Sequence, residues 1–148
     1  MTKNNFEQLN DFNIDFFESA KLSLLDPLGL YLANDVKWIK LNKNWNSLKF
    51  PVVMGGKGQP LLLLHGFDSS FLEFRRIYKS LKRNFQVIVP DMLGFGFSPR
   101  CATNENNPSK IISYLIDLLN TLDITNNLKI VGASMGGSTA LRLAFEIP

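Results

Sequence analysis

One five-residue turn constrains this chain more than any other feature. A short β-type run at 128–131 leads into the sequence G-A-S-M-G at 132–136, and a helical pattern follows at once. A strand that passes into a helix through G-x-S-x-G turns so tightly that a Cβ two residues before or after the serine has no room. Both of those positions, 132 and 136, are glycine. The turn would lift the Ser134 hydroxyl above the sheet edge, beside a helix N-terminus with free N–H groups. The pattern therefore predicts a nucleophile elbow.

The composition is typical of one globular domain without a nucleic-acid or membrane signature. The 148 residues suffice for a single domain, and the net charge of +3 is too small and too scattered for nucleic-acid binding. No apolar run approaches the roughly 20 residues that span a bilayer, and the polar N-terminus lacks the apolar core of a secretory signal. The single cysteine, Cys101, excludes an internal disulfide and suits a reducing compartment. We therefore expect a cytoplasmic protein.

Alternating apolar runs and helical patterns predict an α/β fold with a mainly parallel sheet. The unbroken run at 61–64 is typical of a strand buried on both faces. A capping box from Ser70 to Glu73 begins a helix that runs to about Arg83. Further strands are predicted at 36–41, 50–54, 85–90 and 128–131, and further helices from 108 and from 136 to 146. The predicted order is two strands followed by β-α-β-α-β-α.

The first 35 residues predict a helical lead-in that packs on the domain formed by 36–148. Their apolar residues recur at helical spacing, and Asp26-Pro27 should stop this helix because a residue before proline avoids the helical region. The apolar positions are Phe16, Phe17, Ala20, Leu24 and Leu25. A helix lying on a membrane surface is disfavoured, because the polar face carries few Lys and Arg residues.

Three segments with chemical groups follow three of the predicted parallel strands, at the sheet edge where open α/β sheets bind ligands. They are His65-Gly66-Phe67-Asp68, the D-x-x-G-x-G-x-S segment from Asp91 to Ser98, and the turn at Ser134. In this order they resemble the α/β-hydrolase superfamily, from about Val36 to Pro148. The H-G-F-D-S-S and G-A-S-M-G-G sequences are similar to its cyanobacterial and plastid-type branch. The G-G-K-G-Q-P sequence at 55–60 fits a hairpin from the second to the third strand.

The resemblance implies a serine hydrolase that acts on an ester-like acyl bond of a small molecule. Ser134 would be the nucleophile, and the backbone N–H groups of Phe67 and Met135 would form the oxyanion hole. Gly132 and Gly136 would relieve the elbow sterically. A serine at this position disfavours the dehalogenases and epoxide hydrolases of the superfamily, which use aspartate. Cofactor-free peroxidase activity and carbon–carbon bond hydrolysis remain open.

The chain departs from the family pattern after the elbow. The family takes its acid from after the sixth or seventh strand and its histidine from after the eighth. Here the 14 residues after Ser134 hold no His and no Asp, and His65 is the only histidine. We therefore expect a truncated fold with strands 1 to 5 of the family's eight. It would be a hydrolase fragment or split-gene product, or an inactive binding module. Strand 128–131 would lie on an open edge and allow self-association or a partner chain.

Several residues of these motifs have two interpretations. His65 is expected to bond to nearby backbone, with a role as substitute base for Ser134 as the alternative. Asp91 either fixes the loop after its strand or serves as an acid partner. Asp68 either touches substrate or belongs to a turn. The phenylalanines at 67, 95 and 97 line an apolar pocket or are ordinary packing residues.

Cofactor and metal motifs are incomplete. Gly94-Phe-Gly96 lacks the third glycine of a dinucleotide loop, which is Pro99 here, and no helix opens there. Gly56-Lys57 lacks the Ser or Thr of a phosphate loop and leads into a strand. No Cys/His spacing supports a metal site. We expect neither a cofactor nor a metal, and no nucleic-acid partner.

Overall fold

The computed structural model of the protein describes residues 3–41, 45–100, 107–124 and 126–147, so Cys101 lies outside the described residues. The helices are α1 (Lys3–Leu22), α2 (Pro27–Ala33), α3 (Arg75–Leu81), α4 (Pro108–Thr121) and α5 (Met135–Glu146). The strands are β1 (Val36–Lys40), β2 (Lys49–Gly55), β3 (Gln59–Leu64), β4 (Phe85–Pro90) and β5 (Lys129–Gly132). A 3-10 turn, Phe71–Phe74, precedes α3.

The five strands form one mixed sheet in the order β1-β2-β4-β3-β5. Strand β2 is antiparallel to both β1 and β4, whereas β3 is parallel to β4 and β5. Four strands therefore point the same way and only β2 is reversed, which confirms the predicted α/β fold with a mainly parallel sheet.

The hairpin predicted between the second and third strands is wrong, because β4 lies between β2 and β3. The connection instead crosses the start of β4. Gly56 adopts φ +79° there, and a Cβ on it would clash with the backbone carbonyls of Lys82 and Phe85. The glycines of this turn allow one strand connection to pass closely over another chain segment.

Both faces of the sheet are buried, which explains the unbroken apolar runs. Alternate strand residues face α4 and α5 on one side and α2 and α3 on the other, and α1 contributes apolar side chains to both. The first side buries Val52, Leu62, Leu64 and Ile88 with Tyr114, Leu115 and Leu118 of α4. The second side buries Val53, Leu61, Leu63, Val87 and Val89 with Phe17, Leu32 and Tyr78. The carboxyl ends of β3, β4 and β5 consequently meet at one rigid edge.

The N-terminal segment forms two helices where the sequence predicted one. Helix α1 ends at Leu22, before the predicted stop, and Asp26 begins α2. The Asp26 carboxylate accepts a hydrogen bond from the Leu28 N–H (2.9 Å), and Pro27 is the first helical residue. Phe17 anchors α1 in the core at 3% exposure, whereas Phe16 is 56% exposed. A domain boundary near residue 35 stays a prediction. Within the described ranges, no helix is both long and apolar enough to cross a membrane.

Candidate active site

The turn between β5 and α5 holds Ser134 in a strained backbone conformation. Ser134 adopts φ +51° and ψ −117°, a region that a residue with a side chain rarely occupies. The neighbouring Ala133 N–H donates to the Leu64 carbonyl at 3.0 Å, which ties the turn to the end of β3. The Ser134 residue itself is exposed to solvent. The sequence predicts this arrangement for an elbow, in which the surrounding structure maintains a strained backbone and the serine lies at the surface.

The two glycines of the turn permit its close packing. A Cβ on Gly132 would clash with the backbone of Gly136. A Cβ on Gly136 would clash with the carbonyl oxygens of Leu64 and His65. The first turn of α5 therefore packs on the end of β3 because Gly136 lacks a side chain, and on the end of β5 because Gly132 lacks one.

The loop after β3 brings Gly66 and Phe67 to Ser134. Because β3 and β5 are parallel neighbours, with Leu64 opposite Gly132, both loops leave the sheet side by side. A Cβ placed on Gly66 would lie 3.6 Å from the Ser134 Cβ, which is ordinary van der Waals contact. Among the described residues, the backbone N–H groups of Phe67 and Met135 have no hydrogen-bond acceptor. These two free donors belong to the residues that directly follow Gly66 and Ser134. Met135 is also the first residue of α5, whose N-terminus favours negative charge.

Glu73 fixes the Gly66 backbone, a contact that the sequence pattern does not predict. The capping box predicts that the Glu73 carboxylate returns to Ser70. In the structure the Ser70 hydroxyl accepts from the Leu72 N–H (3.3 Å), and Glu73 Oε2 accepts from the Gly66 N–H (2.8 Å). The carboxylate thus anchors the loop that carries the free Phe67 N–H. No local spacing rule links a glycine to a glutamate seven residues later, so only the fold shows this pair.

His65 is buried and bonded to backbone on both sides of its ring. Its Nε2 accepts from the Met92 N–H (2.9 Å), which places the proton on Nδ1, and Nδ1–H donates to the Gly66 carbonyl (2.8 Å). Burial lowers the pKa of His65, with smaller opposing effects from the Gly66 hydrogen bond and from Glu73. The ring is therefore neutral and has no free nitrogen for the Ser134 proton. The geometry favours the backbone-bonding interpretation over the substitute base.

Asp91 fixes two loops at the end of β4. Its Oδ1 accepts from the Phe71 N–H (2.6 Å) and its Oδ2 from the Phe97 N–H (2.7 Å). Its carbonyl accepts from the hydroxyls of Ser98 (3.0 Å) and Tyr114 (3.1 Å). Burial raises the pKa of Asp91 to about 7, and the two N–H donors partly oppose this rise. With both oxygens occupied, the carboxyl holds loops rather than reaching an acid–base partner.

Of the remaining candidate residues from the sequence motifs, some lie exposed at the surface and others pack against neighbouring side chains. Asp68 is exposed at φ +51° in the loop beyond Phe67. Phe67 is 72% exposed and its ring contacts that of Phe95, with centroids 5.6 Å apart. Phe97 instead packs on Phe71. Within the described part of the chain, no group of three or more His, Cys, Asp or Glu side chains is placed to hold a metal ion.

Replacing Glu73 tests its hold on the loop after β3. Glu73→Ala leaves the Gly66 N–H without its acceptor, and we expect a loss of about 1–3 kcal/mol in the free energy of unfolding. Glu73→Gln keeps a carbonyl acceptor and should lose less than half of that. Urea denaturation measures both, and hydrogen exchange at the Gly66 amide should accelerate in the alanine variant alone. Equal exchange rates in the two variants would contradict the role of this hydrogen bond.

Comparisons with known proteins place these features in a family. A family model described as the alpha/beta hydrolase fold matches residues 59–148. The 2-hydroxymuconate semialdehyde hydrolase of Pseudomonas sp. (strain CF600) is 35% identical over 96 residues, which are 63% of this chain and 34% of that protein. Lipase 1 of Psychrobacter immobilis is 34% identical over 91 residues, which are 62% of this chain and 28% of that protein. The chain thus spans about a third of the length of these curated relatives.

Solved structures agree with the family model. A meta-cleavage product hydrolase from Pseudomonas fluorescens IP01 superposes with a TM-score of 0.67 at 28% identity, covering 74% of this chain and 40% of that one. An epoxide hydrolase from hot-environment metagenomes gives a TM-score of 0.67 at 29% identity, covering 75% of this chain and 37% of that one. The family match covers more than half of the sequence, and the solved neighbours share the fold over about three quarters of the chain. The chain belongs to the alpha/beta hydrolase fold family and contains a partial form of that fold.

Proposed function

We propose that this chain is the nucleophile-bearing part of a serine hydrolase that acts on an ester-like acyl bond of a small molecule. The observation that carries the proposal is the backbone of Ser134, held at φ +51° between Gly132 and Gly136 with its residue exposed. Such strain persists only where surrounding structure maintains it, and it is concentrated at functional sites. The serine in place of aspartate favours acyl transfer over epoxide opening.

The proposed mechanism uses three groups of this chain. Ser134 Oγ attacks the carbonyl carbon of the substrate, and the carbonyl oxygen takes up negative charge as the bond to Oγ forms. The free N–H groups of Phe67 and Met135 donate to that oxygen. Removing one such donor typically costs about 10²–10³ in rate. The N-terminus of α5 adds a favourable field at the same place.

A serine nucleophile also needs a general base to take its proton at neutral pH. Neither His65 nor Asp91 fills this role, because both His65 nitrogens and both Asp91 carboxyl oxygens are occupied. In the proposed enzyme the base and its acid partner come from another polypeptide segment. The same observation supports a second candidate, a hydrolase-like binding module without activity. We include a cytoplasmic location in the proposal, since the sequence has a single cysteine.

The chain alone should show no turnover of p-nitrophenyl acetate above its Ser134→Ala variant, because neither His65 nor Asp91 has a free atom to take the serine proton. A clear rate that depends on Ser134 would contradict this expectation. His65 would then have to be the base, and His65→Ala would have to remove the rate.

The proposed enzyme is tested by supplying the missing segment. The chain is co-expressed with the part of a matched relative that follows the aligned region, and the complex is treated with a fluorophosphonate probe. We expect labelling that Ser134→Ala abolishes and Ser138→Ala leaves intact. Ser138 is a matched control, an exposed serine on α5 whose hydroxyl donates to the Met135 carbonyl. Labelling of wild type and Ser134→Ala to the same extent would reject Ser134 as nucleophile. A folded complex without labelling would favour the binding module.

A further inference from the structure

The proposed oxyanion hole has one donor on a helix and one on a loop. Met135 is the first residue of α5, so the helix itself fixes the direction of its N–H. Phe67 lies in the irregular loop between β3 and the 3-10 turn Phe71–Phe74. Each residue of such a loop has two soft backbone dihedral angles, and no regular ladder of hydrogen bonds holds them. An oxyanion donor must nevertheless point in a fixed direction before the reaction begins. Other contacts must therefore hold the Phe67 N–H.

Two hydrogen bonds fix the peptide planes on either side of Gly66. The Gly66 N–H, in the peptide that joins it to His65, donates to Glu73 Oε2 at 2.8 Å. The Gly66 carbonyl, in the peptide that joins it to Phe67, accepts from His65 Nδ1–H at 2.8 Å. This second peptide is planar and trans, so the Phe67 N–H points opposite to that carbonyl. Because both planes are held, the direction of the Phe67 N–H is set.

Glu73 is itself held by the core of the domain. It lies in the 3-10 turn between Phe71 and Phe74, whose side chains are buried. The Phe71 N–H donates to Asp91 Oδ1 at 2.6 Å, which ties the start of this turn to the end of β4. A residue that supports a reacting group needs a fixed position of its own. The 3-10 turn gives the Glu73 backbone that fixed position.

The charge of Glu73 favours a role in positioning. Glu73 Oε2 and Ser134 Cβ each lie 3.6 Å from the place that a Cβ on Gly66 would take, so Gly66 is close to both. A carboxylate in this region repels the negative charge that develops on the substrate oxygen, so its charge cannot assist acyl transfer. What an ionised carboxylate does offer is a strong acceptor for a backbone N–H.

We propose that Glu73 is a positioning residue of the hydrolase reaction. Through the Gly66 N–H it holds the Phe67 N–H in the direction in which this group donates to the developing oxyanion. The inference rests on the proposed function and adds to it a residue that does not touch the substrate. Glu73 acts on the rate of acyl transfer more than on substrate binding, because the donor is used most when the oxygen carries charge.

The test gives the chain a nucleophile that needs no general base. Ser134→Cys places a thiol at the elbow, and Cys101→Ser removes the single natural thiol. This double variant is the parent for all others. At about pH 8.5 a large fraction of an ordinary thiol is thiolate. The thiolate sulfur attacks the carbonyl carbon of p-nitrophenyl acetate, and the carbonyl oxygen takes up the electron pair. The carbonyl then re-forms as p-nitrophenolate leaves. The burst of p-nitrophenolate measures this acylation step.

Alkylation of the same thiol by iodoacetamide is the matched reaction. It displaces iodide from a saturated carbon, so no oxyanion forms and the oxyanion hole has no effect on it. The ratio of the acylation rate to the alkylation rate therefore reports the hole separately from the thiol pKa, its exposure and the amount of folded protein. N-acetylcysteine supplies the value of this ratio without a hole.

Glu73→Ala in the parent should lower the ratio about tenfold, a part of the about 10²–10³ that the loss of a whole donor costs. Glu73→Gln keeps a carbonyl acceptor without the charge and should retain the ratio of the parent. Glu73→Asp keeps the charge but is one methylene too short, so it should lower the ratio as well. It replaces Glu73→Ala if that variant does not fold.

Two control variants should leave the ratio unchanged. Glu7→Ala removes an exposed glutamate on α1. Asn107→Ala removes the side chain that accepts from the Lys110 N–H (2.9 Å) at the start of α4, so it costs stability of the same kind without touching the loop after β3. The controls thus separate positioning of the Phe67 N–H from general destabilisation.

The outcomes distinguish this inference from the proposed function. A parent ratio equal to that of N-acetylcysteine would reject the oxyanion hole, and the role of Glu73 with it. A raised parent ratio that Glu73→Ala leaves unchanged, or that Asn107→Ala lowers equally, would reject Glu73 alone. A ratio as low in Glu73→Gln as in Glu73→Ala would also reject it, because the acceptor would not be what matters. The labelling that tests Ser134 as nucleophile depends on none of these results.

Discussion

The contribution of Asp91 to stability is expected to fall as the pH rises from about 4 to about 7. Burial raises the pKa of this carboxyl from 3.8 to about 7. Between those values the folded chain keeps the proton and the unfolded chain releases it. The stabilising contribution of Asp91 is therefore fully present below the pKa of this carboxyl in the unfolded chain. It is lost as the pH rises through the pKa in the folded chain, and the free energy of unfolding has no further dependence on Asp91 above that pH. A rise of this size corresponds to on the order of a few kcal/mol, which is a sizeable share of the about 5–15 kcal/mol that stabilises a typical domain.

Urea denaturation of wild type and Asp91→Asn at about pH 5 and about pH 8 measures this contribution. His65 acts in the opposite direction, because its lowered pKa makes the folded state lose stability as the pH falls below about 6.5. The difference between the two proteins removes the His65 effect. In Asp91→Asn, the free energy of unfolding should lack the part of its pH dependence that comes from Asp91. It should also be less stable at low pH by about 1–3 kcal/mol, since its amide N–H₂ faces the N–H donor of Phe71 or Phe97.

Carbon-13 NMR of the Asp91 carboxyl provides a second measurement if Asp91→Asn fails to fold. The carboxyl should titrate near neutral pH in the wild-type protein. Titration below about pH 4 would mean that the two N–H donors outweigh burial, and it would contradict the expected fall in stability.

The sequence predicts those parts of the fold that depend on neighbouring residues along the chain. The tight turn at 132–136 is indicated by its own sequence, because Gly132 packs on Gly136 within five residues. The contact of Gly136 with the carbonyls of Leu64 and His65 depends on the fold. The strand at 61–64 follows from an apolar run that only burial on both faces explains. The family match and the solved neighbours confirm the fold to which these patterns point.

The sequence does not predict features that depend on which distant segments meet. The turn at 55–60 has the composition of a hairpin, but its strands flank β4 instead of pairing with each other. Glu73 has the spacing of a capping residue, yet the Gly66 N–H lies within reach and takes its carboxylate. Asp26 precedes a proline, a pattern that predicts the end of a helix, whereas its side chain caps the start of α2. In each case the local pattern allows two partners, and tertiary packing selects one.

The open edge of the sheet is expected to make the purified chain associate. Among the described residues, β5 pairs with β3 on one side only. Its other side borders a groove of about 530 Å³ whose lining has no charged residue and includes Ile130, Leu141 and Ile147. Val131 is 50% exposed and Phe145 is 87% exposed. An apolar edge with unpaired N–H and C=O groups pairs readily with another chain.

Sedimentation velocity across a wide concentration range tests this expectation. Wild type should form oligomers or aggregates, while Val131→Lys and Leu141→Lys should shift the chain toward monomer by placing charge on the edge and beside it. Ile77→Lys is the matched control, because Ile77 is 48% exposed on α3, away from β5. A wild-type monomer that unfolds cooperatively would contradict the expectation. Lys129 alone would then suffice to protect the edge, and the five strands would form a self-contained minimal fold. If Ile77→Lys also abolished association, the association would result from the general hydrophobicity of the surface and not from the edge at β5.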